Sequence, residues 1–266
     1  MLCNICDQKM EAWGSTRVLG RYDAFYWRCS FCDFIQVENP HWLEEAYESA
    51  ITTSDVGLVS RNLEFKKKSQ VVIECLFKWQ GKFIDYGGGT GLFTRLMRDA
   101  GYDFYWYDRH CGNCFATGFV ADITDGTYYK LLTAAEVLEH LVDPVTAVRE
   151  MFDLSPNILF TTELLSTPAP AVDDWWYYGS EHGQHISFYG EKTLEVLAKS
   201  LGLHFTTNGS NLHLFSERPV SPLFFKIVAN GVSASIISAL LRRPSLLPSD
   251  FSQVCKQEEN EDADSS

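Results

Sequence analysis

The stretch "FIDYGGGTGLFTRLMRDAGYDFYWYDRH", residues 83–110, decides the fold expected for this chain. An apolar strand leads into a glycine-rich turn, an amphipathic helix follows, and a second strand ends at Asp108. Glycine lets a ligand approach the backbone closely, and the N–H groups at the start of the following helix point toward that ligand. This order of elements is typical of an α/β protein with a ligand site at the edge of a parallel sheet.

The alternation of strands and helices continues beyond this stretch. The sequence predicts further strands at 118–122, 128–136 and 157–165, and helices at 144–154 and 190–202. Strands that alternate with helices of this length form parallel sheets, because each helix carries the chain back to the same edge. We therefore expect a mostly parallel sheet with helices on both faces.

The glycine turn does not have the pattern of a dinucleotide site. The fingerprint G-x-G-x-x-G fails because its last position is Leu92 when counted from Gly87 and Thr94 when counted from Gly89. An acid before the glycines would repel a pyrophosphate and suits a ligand that carries an ammonium group. The residues of this acidic glycine turn are Asp85, Gly87, Gly89 and Gly91.

Two further acids follow strands of the predicted sheet. Asp108 is placed to accept hydrogen bonds from ribose hydroxyls, and Asp122 from an adenine amino group. A cationic ligand with a ribose and an adenine describes S-adenosylmethionine (SAM). A structural alternative is that these glycines and acids serve only to form turns.

Residues 82–215 resemble a class I SAM-dependent methyltransferase. "DYGGGTG" is similar to the first motif of that family, "YWYD" to its second-strand acid and "ADITD" to its adenine-side acid. The resemblance implies a Rossmann-like α/β fold with a seven-stranded, mostly parallel sheet. It also implies a SAM site formed by Asp85, Gly87, Gly89, Gly91, Asp108, Asp122, Ile123 and Glu136.

The segment "TAAEVLEHLVDP", residues 133–144, follows the fourth predicted strand. Glu136, Glu139 and His140 would share one face of a helical turn. The segment resembles the "EVLEH" segment of sugar and ubiquinone-pathway O-methyltransferases. Three interpretations remain open: His140 is a catalytic base, the three residues hold a divalent ion, or His140 only packs beside the cofactor.

Four adjacent aromatic residues and two histidines lie in residues 173–203, where this fold carries a substrate lid. Trp and Tyr faces suit a sugar ring or a planar ring, although such clusters also form cores. The piece "GQHISFY" resembles a family segment whose histidine faces the reacting centre, which makes His185 a second candidate base.

Six of the eight cysteines form C-x-x-C pairs, which favours metal binding in a reducing compartment over disulfides. Cys3, Cys6, Cys29 and Cys32 have the spacing of a zinc ribbon with a structural zinc ion. The third pair, Cys111 and Cys114, follows Asp108 without a partner pair, and we expect at most a peripheral metal or redox role for it. No secretory signal is visible, and we expect a cytoplasmic protein.

The formal net charge is −13, and no basic stripe accompanies it. Nucleic acid is therefore a disfavoured partner. Residues 221–241 are apolar but are interrupted by Lys226 and Asn230, so we expect a helix on a protein or membrane surface and not a spanning helix. The sequence leaves the oligomeric state open.

The sequence predicts five regions and one leading function. The regions are a zinc-ribbon-like module (1–40), a helical connector (41–81), a methyltransferase core (82–218), a C-terminal helical segment (219–250) and a disordered acidic tail (251–266). The leading hypothesis is SAM-dependent methylation of a small molecule, specifically a sugar or saccharide hydroxyl. Alternatives are an RNA-modifying enzyme that grips its substrate with the ribbon, and a non-catalytic SAM-binding scaffold.

Overall fold

The computed structural model describes residues 1–48 and 55–264. The strands are β1 (Met10–Val18), β2 (Tyr22–Cys29), β3 (Ile35–Val37), β4 (Lys82–Tyr86), β5 (Asp103–Tyr107), β6 (Leu131–Ala135), β7 (Asn157–Thr161), β8 (Ser187–Phe188), β9 (His204–Thr207) and β10 (Leu212–Ser216). The α-helices are α1 (Leu43–Ala46), α2 (Leu58–Val72), α3 (Leu92–Asp99), α4 (Pro144–Leu154), α5 (Glu191–Ser200), α6 (Pro222–Val228), α7 (Gly231–Leu240) and α8 (Leu247–Asp264). A π-helical turn (Ile73–Phe77) extends α2.

The larger sheet has the strand order β5-β4-β6-β7-β10-β9. The first four strands are parallel, and β10 and β9 add antiparallel pairs at the β7 edge. The central strands are nearly continuous runs of apolar residues, because helices cover both faces of the sheet. The expected α/β fold with a mostly parallel sheet is confirmed.

Seven strands are not confirmed, since six strands form this sheet within residues 1–48 and 55–264. The predicted strand at 118–122 is reduced to a single parallel bridge between Val120 and Trp106. The chain turns away directly afterwards, because the Asp122 carboxylate accepts a hydrogen bond from the Thr124 N–H at 2.8 Å. A side chain that satisfies its own backbone in this way competes with strand pairing.

The smaller sheet joins the N-terminal module to the core. Its order is β1-β2-β3-β8, and all of its pairs are antiparallel. The fourth strand comes from the segment after β7, some 150 residues away in the sequence. The ribbon is thus continuous with part of the methyltransferase core.

The connector between the ribbon and β4 is helical where the structure describes it. The predicted helical connector (41–81) begins with the short α1, and residues 49–54 lie outside the described residues. Helix α2 begins at Leu58 and continues as the π-helical turn. Phe65, Val71 and Val72 of α2 are buried in one apolar cluster with β4 and α3.

The C-terminal region is more ordered than expected. We expected residues 251–266 to be disordered, but α8 continues to Asp264, and residues 265–266 lie outside the described residues. Asp250 anchors the first turn of α8, because its buried carboxylate accepts hydrogen bonds from Arg98 at 2.7 and 2.9 Å and from Arg95 at 2.8 Å. A bidentate ion pair of this kind orders a polar segment.

The helices α6 and α7 form a bent pair. Ser221 caps α6, and the Asn230 side chain caps α7 by accepting from the N–H groups of Val232 and Ser233. Among the described residues, no single helix has the length and apolar character needed to cross a membrane. The two helices meet that criterion only together, and they are bent by 66° where they meet.

Acid should destabilise this fold through a buried histidine in β10. His213 is fully buried; its Nε2–H donates to the Thr162 carbonyl at 3.0 Å, and its Nδ1 accepts from the Thr207 hydroxyl at 2.8 Å. Burial lowers its pKa to about 4 from an ordinary value of 6.5. Between these values the unfolded chain binds more protons, so the free energy of unfolding falls as the pH falls, by up to about 3 kcal/mol.

The measurement is urea unfolding of the wild type and of His213→Gln at several pH values from 7 to 4. Gln retains a donor and an acceptor but does not titrate. We expect a smaller loss of the free energy of unfolding on acidification in the variant. Equal losses would show that His213 is not a source of the acid sensitivity.

Candidate functional site

A cleft of about 710 Å³ opens at the carboxyl ends of β4, β5 and β6. The glycine turn and Asp108 line one part, and Glu136 and His140 line the next. Helix α2 forms one wall, and the segment that contains His185 forms the opposite one. Ligands of open parallel sheets bind at this edge, so the cleft is the expected place for a cofactor and an acceptor.

The glycine turn is tightly enclosed on its protein side and open on its cleft side. Gly87 has φ +68°, and a Cβ there would lie 2.6 Å from Val137. A Cβ on Gly89 would meet nothing within 4 Å, so this backbone is accessible to a ligand. Gly91, by contrast, does not line the cleft: its neighbour is the Asn113 side chain, 2.5 Å from the position of a Cβ.

Asp85 supports the turn from below. Its buried carboxyl group accepts hydrogen bonds from the hydroxyls of Thr94 at 3.0 Å and Thr133 at 3.1 Å. Burial raises the pKa of Asp85 to about 7, so the group is only partly charged near neutral pH. Its expected attraction for an ammonium group stays a prediction.

Asp108 is already engaged with the backbone. Its Oδ2 accepts from the Gly89 N–H at 2.9 Å, and its Oδ1 accepts from the N–H groups of His110 at 2.7 Å and Cys111 at 2.9 Å. A carboxylate has about four acceptor positions, so about one remains, on Oδ2. Without rearrangement, Asp108 can therefore accept from a single ribose hydroxyl and not from the two expected.

Asp122 and Ile123 are not brought to the cleft. Asp122 is exposed, and its Oδ1 accepts from the Thr124 N–H at 2.8 Å and the Thr124 hydroxyl at 2.6 Å. These bonds lower its pKa. Ile123 packs against the core instead. The adenine-side role of this pair stays a prediction, which would need the 122–127 turn to shift.

Glu136 and Glu139 do not share a helical face. Glu136 has a left-handed backbone with φ +53°, which is uncommon for a residue with a side chain, and its carboxylate accepts from the Thr161 hydroxyl at 2.6 Å. Glu139 lies in a 3₁₀ turn and is fully buried. Its Oε1 accepts from the Tyr177 hydroxyl at 2.6 Å, and its Oε2 has no hydrogen-bond partner.

One possible metal group in the cleft differs from the sequence expectation. The ligand atoms of Glu139, His140 and His185 lie within 4.8 Å of one another, so His185 takes the place expected for Glu136. The orphaned Glu139 oxygen is costly to bury, and burial raises the pKa of Glu139 well above its ordinary value. A cation would compensate for that cost, and two imidazoles with one carboxylate are a common ligand set.

Three histidines cluster beside Glu139. The ring centroids of His140 and His185 are 4.9 Å apart, and those of His182 and His185 are 4.7 Å apart. The His185 Nδ1–H donates to the Tyr177 carbonyl at 2.6 Å, which leaves Nε2 as an acceptor. Burial lowers the pKa of His140 to about 4 and that of His185 well below its ordinary value, so both rings are neutral near pH 7.

The structure adds residues that the sequence did not single out. Tyr47 donates to or accepts from His140 Nδ1 at 3.0 Å and stacks on His110. Tyr177 holds Glu139, and Arg61 of α2 lines the cleft while it bridges to Asp55. The aromatic run pointed to Tyr177. Nothing local marks Tyr47, because its contact with His140 is long-range, and the ion pair of Arg61 with Asp55 matches no motif.

The four N-terminal cysteines converge. Cys3 and Cys32 have sulfurs 3.6 Å apart, and Cys6 and Cys29 have sulfurs 3.5 Å apart; all four thiols lie within 4.8 Å of one another. Four sulfurs around a tetrahedral zinc ion at about 2.3 Å stand about 3.8 Å apart. The cluster fits structural zinc, as expected. Within the described chain, Cys111 and Cys114 belong to no such group.

The ribbon holds in place the segment that contains His182 and His185, residues 182–189, which we call the histidine segment. β3 pairs with β8 two residues after His185, and the Trp42 indole N–H donates to the Gly183 carbonyl at 2.9 Å. On its other side the segment is tied to the turn after β6, because the Ile186 N–H donates to the Glu139 carbonyl at 2.8 Å. The Thr193 hydroxyl also donates to the Cys32 carbonyl at 2.6 Å. The cysteine knuckles thus support the wall that carries His185.

Comparison with known proteins identifies the fold. A family model described as "Methyltransferase domain" matches residues 58–208, more than half of the chain. No curated protein has a matching sequence.

Several solved structures have a similar fold. TnmH is 16% identical over 68% of this chain and 62% of its own, with a TM-score of 0.46. Human N-acetylserotonin methyltransferase in complex with SAM is 14% identical over 67% of this chain and 66% of its own, with a TM-score of 0.41. Magnesium protoporphyrin IX methyltransferase from Synechocystis with bound SAH is 12% identical over 65% and 92%, with a TM-score of 0.39. The chain spans less than two thirds of the first two proteins.

Calorimetric titration with SAM can measure how much each acid at the strand ends contributes to SAM affinity. We expect Asp108→Asn to weaken binding at least tenfold, since hydrogen bonds to a charged group contribute about 1.5–3 kcal/mol. Asp125→Asn is the matched control, because its carboxylate bonds Thr127 just as that of Asp122 bonds Thr124.

Asp122→Asn decides the adenine-side prediction. If Asp122→Asn lowers SAM affinity and Asp125→Asn does not, Asp122 lies at the adenine. Equal, small effects of the two substitutions on SAM affinity would exclude that role for Asp122. Normal SAM binding by Asp108→Asn would contradict the cofactor assignment.

Zinc removal should loosen the histidine segment. We expect Cys29→Ser with Cys32→Ser to lose about one equivalent of zinc and to raise hydrogen exchange at 183–189, because β8 pairs with β3. Exchange in β4 and β6 should stay slow, which shows that the core remains folded. Cys75→Ser is the control and should retain zinc. Unchanged exchange at 183–189 in the zinc-free variant would contradict the support role.

Proposed function

This chain belongs to the SAM-dependent methyltransferase family, and on that premise we propose that it methylates the hydroxyl of a small-molecule acceptor, specifically a sugar or saccharide. The observation that carries the proposal is the convergence of the glycine turn, Asp108 and the histidine cluster in one cleft. Cofactor and proton-accepting groups then lie on neighbouring walls, as a transfer reaction to oxygen needs.

The residues of the glycine turn fit SAM. The open backbone at Gly89 leaves room for a ligand, and the free position on Asp108 Oδ2 suits a ribose hydroxyl. SAM supplies a methyl group that is already activated on a sulfonium centre. The protein has only to align the acceptor oxygen with that methyl group, exclude water and remove the hydroxyl proton.

The outer part of the cleft supports a polyhydroxylated acceptor. Trp176 is 75% exposed at the cleft and offers a flat apolar face, which suits the ring of a sugar. Glu163, Glu181 and Asn211 line the same region and provide acceptors and a donor for hydroxyl groups. A few polar groups beside an aromatic platform are typical of small-ligand sites.

The acceptor proton can leave by one of two routes through the same cluster. His185 Nε2 is a neutral acceptor that can take the proton directly. Alternatively, Glu139, His140 and His185 would hold a divalent cation, which lowers the pKa of a bound hydroxyl. The buried Glu139 oxygen without a partner favours the cation.

The alternatives have less support. An RNA substrate would face a chain with a net charge of −13 and a cleft whose acids, including Asp55, Glu163 and Glu181, are not balanced by its basic residues. A non-catalytic scaffold would not explain why Glu139, His140 and His185 are buried together. A four-cysteine zinc cluster is typical of a reducing compartment, and we propose the cytoplasm.

The test is incubation with SAM and a panel of saccharides and sugar nucleotides, read by mass spectrometry as a gain of one CH₂ unit. We expect Glu139→Gln and His185→Gln to bind SAM normally and to reduce turnover by about 100-fold or more. A chelator should abolish turnover, and added Fe²⁺ or Mn²⁺ should restore it. Glu195→Gln and His204→Gln change exposed residues and are the matched controls.

The outcomes separate the parts of the proposal. Turnover that resists the chelator but requires His185 would assign the histidine as base and exclude the cation. Methylation of tRNA, with no methylated saccharide, would overturn the acceptor class. SAM binding without any methylated product in cell extract would favour the scaffold.

A further inference from the structure

The helices α6 and α7 present large apolar side chains to solvent. We call this surface the apolar face. It consists of Leu223, Phe224, Ile227, Val232, Ile236 and Leu240, and all of these are exposed. Single exposed apolar residues are ordinary, but a group of this size on two consecutive helices marks an interaction surface.

The apolar face is not a misplaced core. The same helices already bury Phe225, Val228, Ala229 and Ala234 against α2 and its neighbours, so their inner side is satisfied and their orientation is fixed. The outward apolar side chains are therefore in excess of what the fold needs. We propose that the apolar face docks this protein on the surface of an anionic membrane.

Charge supports a lipid partner. Residues 218–249 contain no acidic residue, although the whole chain has a net charge of −13. The exposed side chains of Arg218, Lys226 and Arg242 flank the apolar face. Cations beside apolar side chains match the headgroup and acyl layers of an anionic bilayer.

The geometry suits a helix pair that lies in the interface. Each helix is too short to cross a bilayer, and the 66° bend prevents the two from forming one straight span. Trp79 is 41% exposed beside the end of α7, where Arg243 stacks on its ring at 3.9 Å. Tryptophan is enriched at this depth of a membrane.

A second copy of the chain is a weaker partner. A symmetric dimer would place this surface against itself and bring Lys226 and Arg242 toward the same residues of the partner. Like charges at an interface oppose such an association. A bilayer surface that carries negative charge has no such cost.

The test is flotation of the full chain with vesicles of phosphatidylcholine alone and with phosphatidylserine added. We expect binding to the mixed vesicles, and we expect Lys226→Glu with Arg242→Glu to weaken it by about tenfold or more, since each basic residue contributes about 1 kcal/mol. Ile227→Ser with Ile236→Ser should abolish binding to the mixed vesicles. SAM titration should be unchanged in all variants, because these residues lie outside the cleft.

The control is Phe25→Ser with Tyr128→Ser, two side chains of comparable exposure elsewhere on the chain. This variant should float like the wild type. Failure of the wild type to float with the phosphatidylserine-containing vesicles would overturn the proposal. So would a concentration-dependent dimer that Ile227→Ser with Ile236→Ser dissolves, because the apolar face would then be covered by a second copy.

Discussion

The short pairing of β3 with β8 is the contact on which the candidate site depends. Ile35 and Gln36 pair with Phe188 and Ser187, and His185 lies just before them. The same segment donates a backbone hydrogen bond to Glu139, so it lies between the cysteine module and the turn after β6. One two-residue strand and the cysteine knuckles behind it therefore help to position the proposed proton acceptor and the buried carboxylate.

This arrangement explains why so many unfavourable groups persist together. A buried glutamate with an orphaned oxygen, two neutral histidines and a residue with φ +53° would each lower stability on their own. They persist because contacts from other elements hold each of them in place. The Tyr177 hydroxyl bonds Glu139, the Thr161 hydroxyl bonds Glu136, and the ribbon holds the segment that contains His185. Clusters of buried ionisable side chains with shifted pKa values are characteristic of functional sites.

The sequence predicted what local chemistry determines. The glycine turn, its flanking strands and the cysteine pairs follow from turn residues, alternation and spacing, and the structure has them where expected. Predictions from the sequence were wrong where a residue has a different local hydrogen bond or backbone conformation. The Asp122 carboxylate accepts hydrogen bonds from Thr124 just after an isolated β-bridge. Glu136 adopts a left-handed backbone and lies outside the 3₁₀ turn that contains Glu139. Tyr47 and β8 are defined by contacts between distant segments, which no local pattern encodes, and the local pair of Arg61 with Asp55 matches no motif.

Helix α2 has two roles at once, since Phe65 and Arg61 line the cleft while the helix packs against α7. If α7 rests on a bilayer, α7 and α2 together, about 20 Å, separate the headgroup layer from the cleft. An acceptor held in that bilayer would then have to extend past both helices to reach the cleft, whereas an acceptor in water would not.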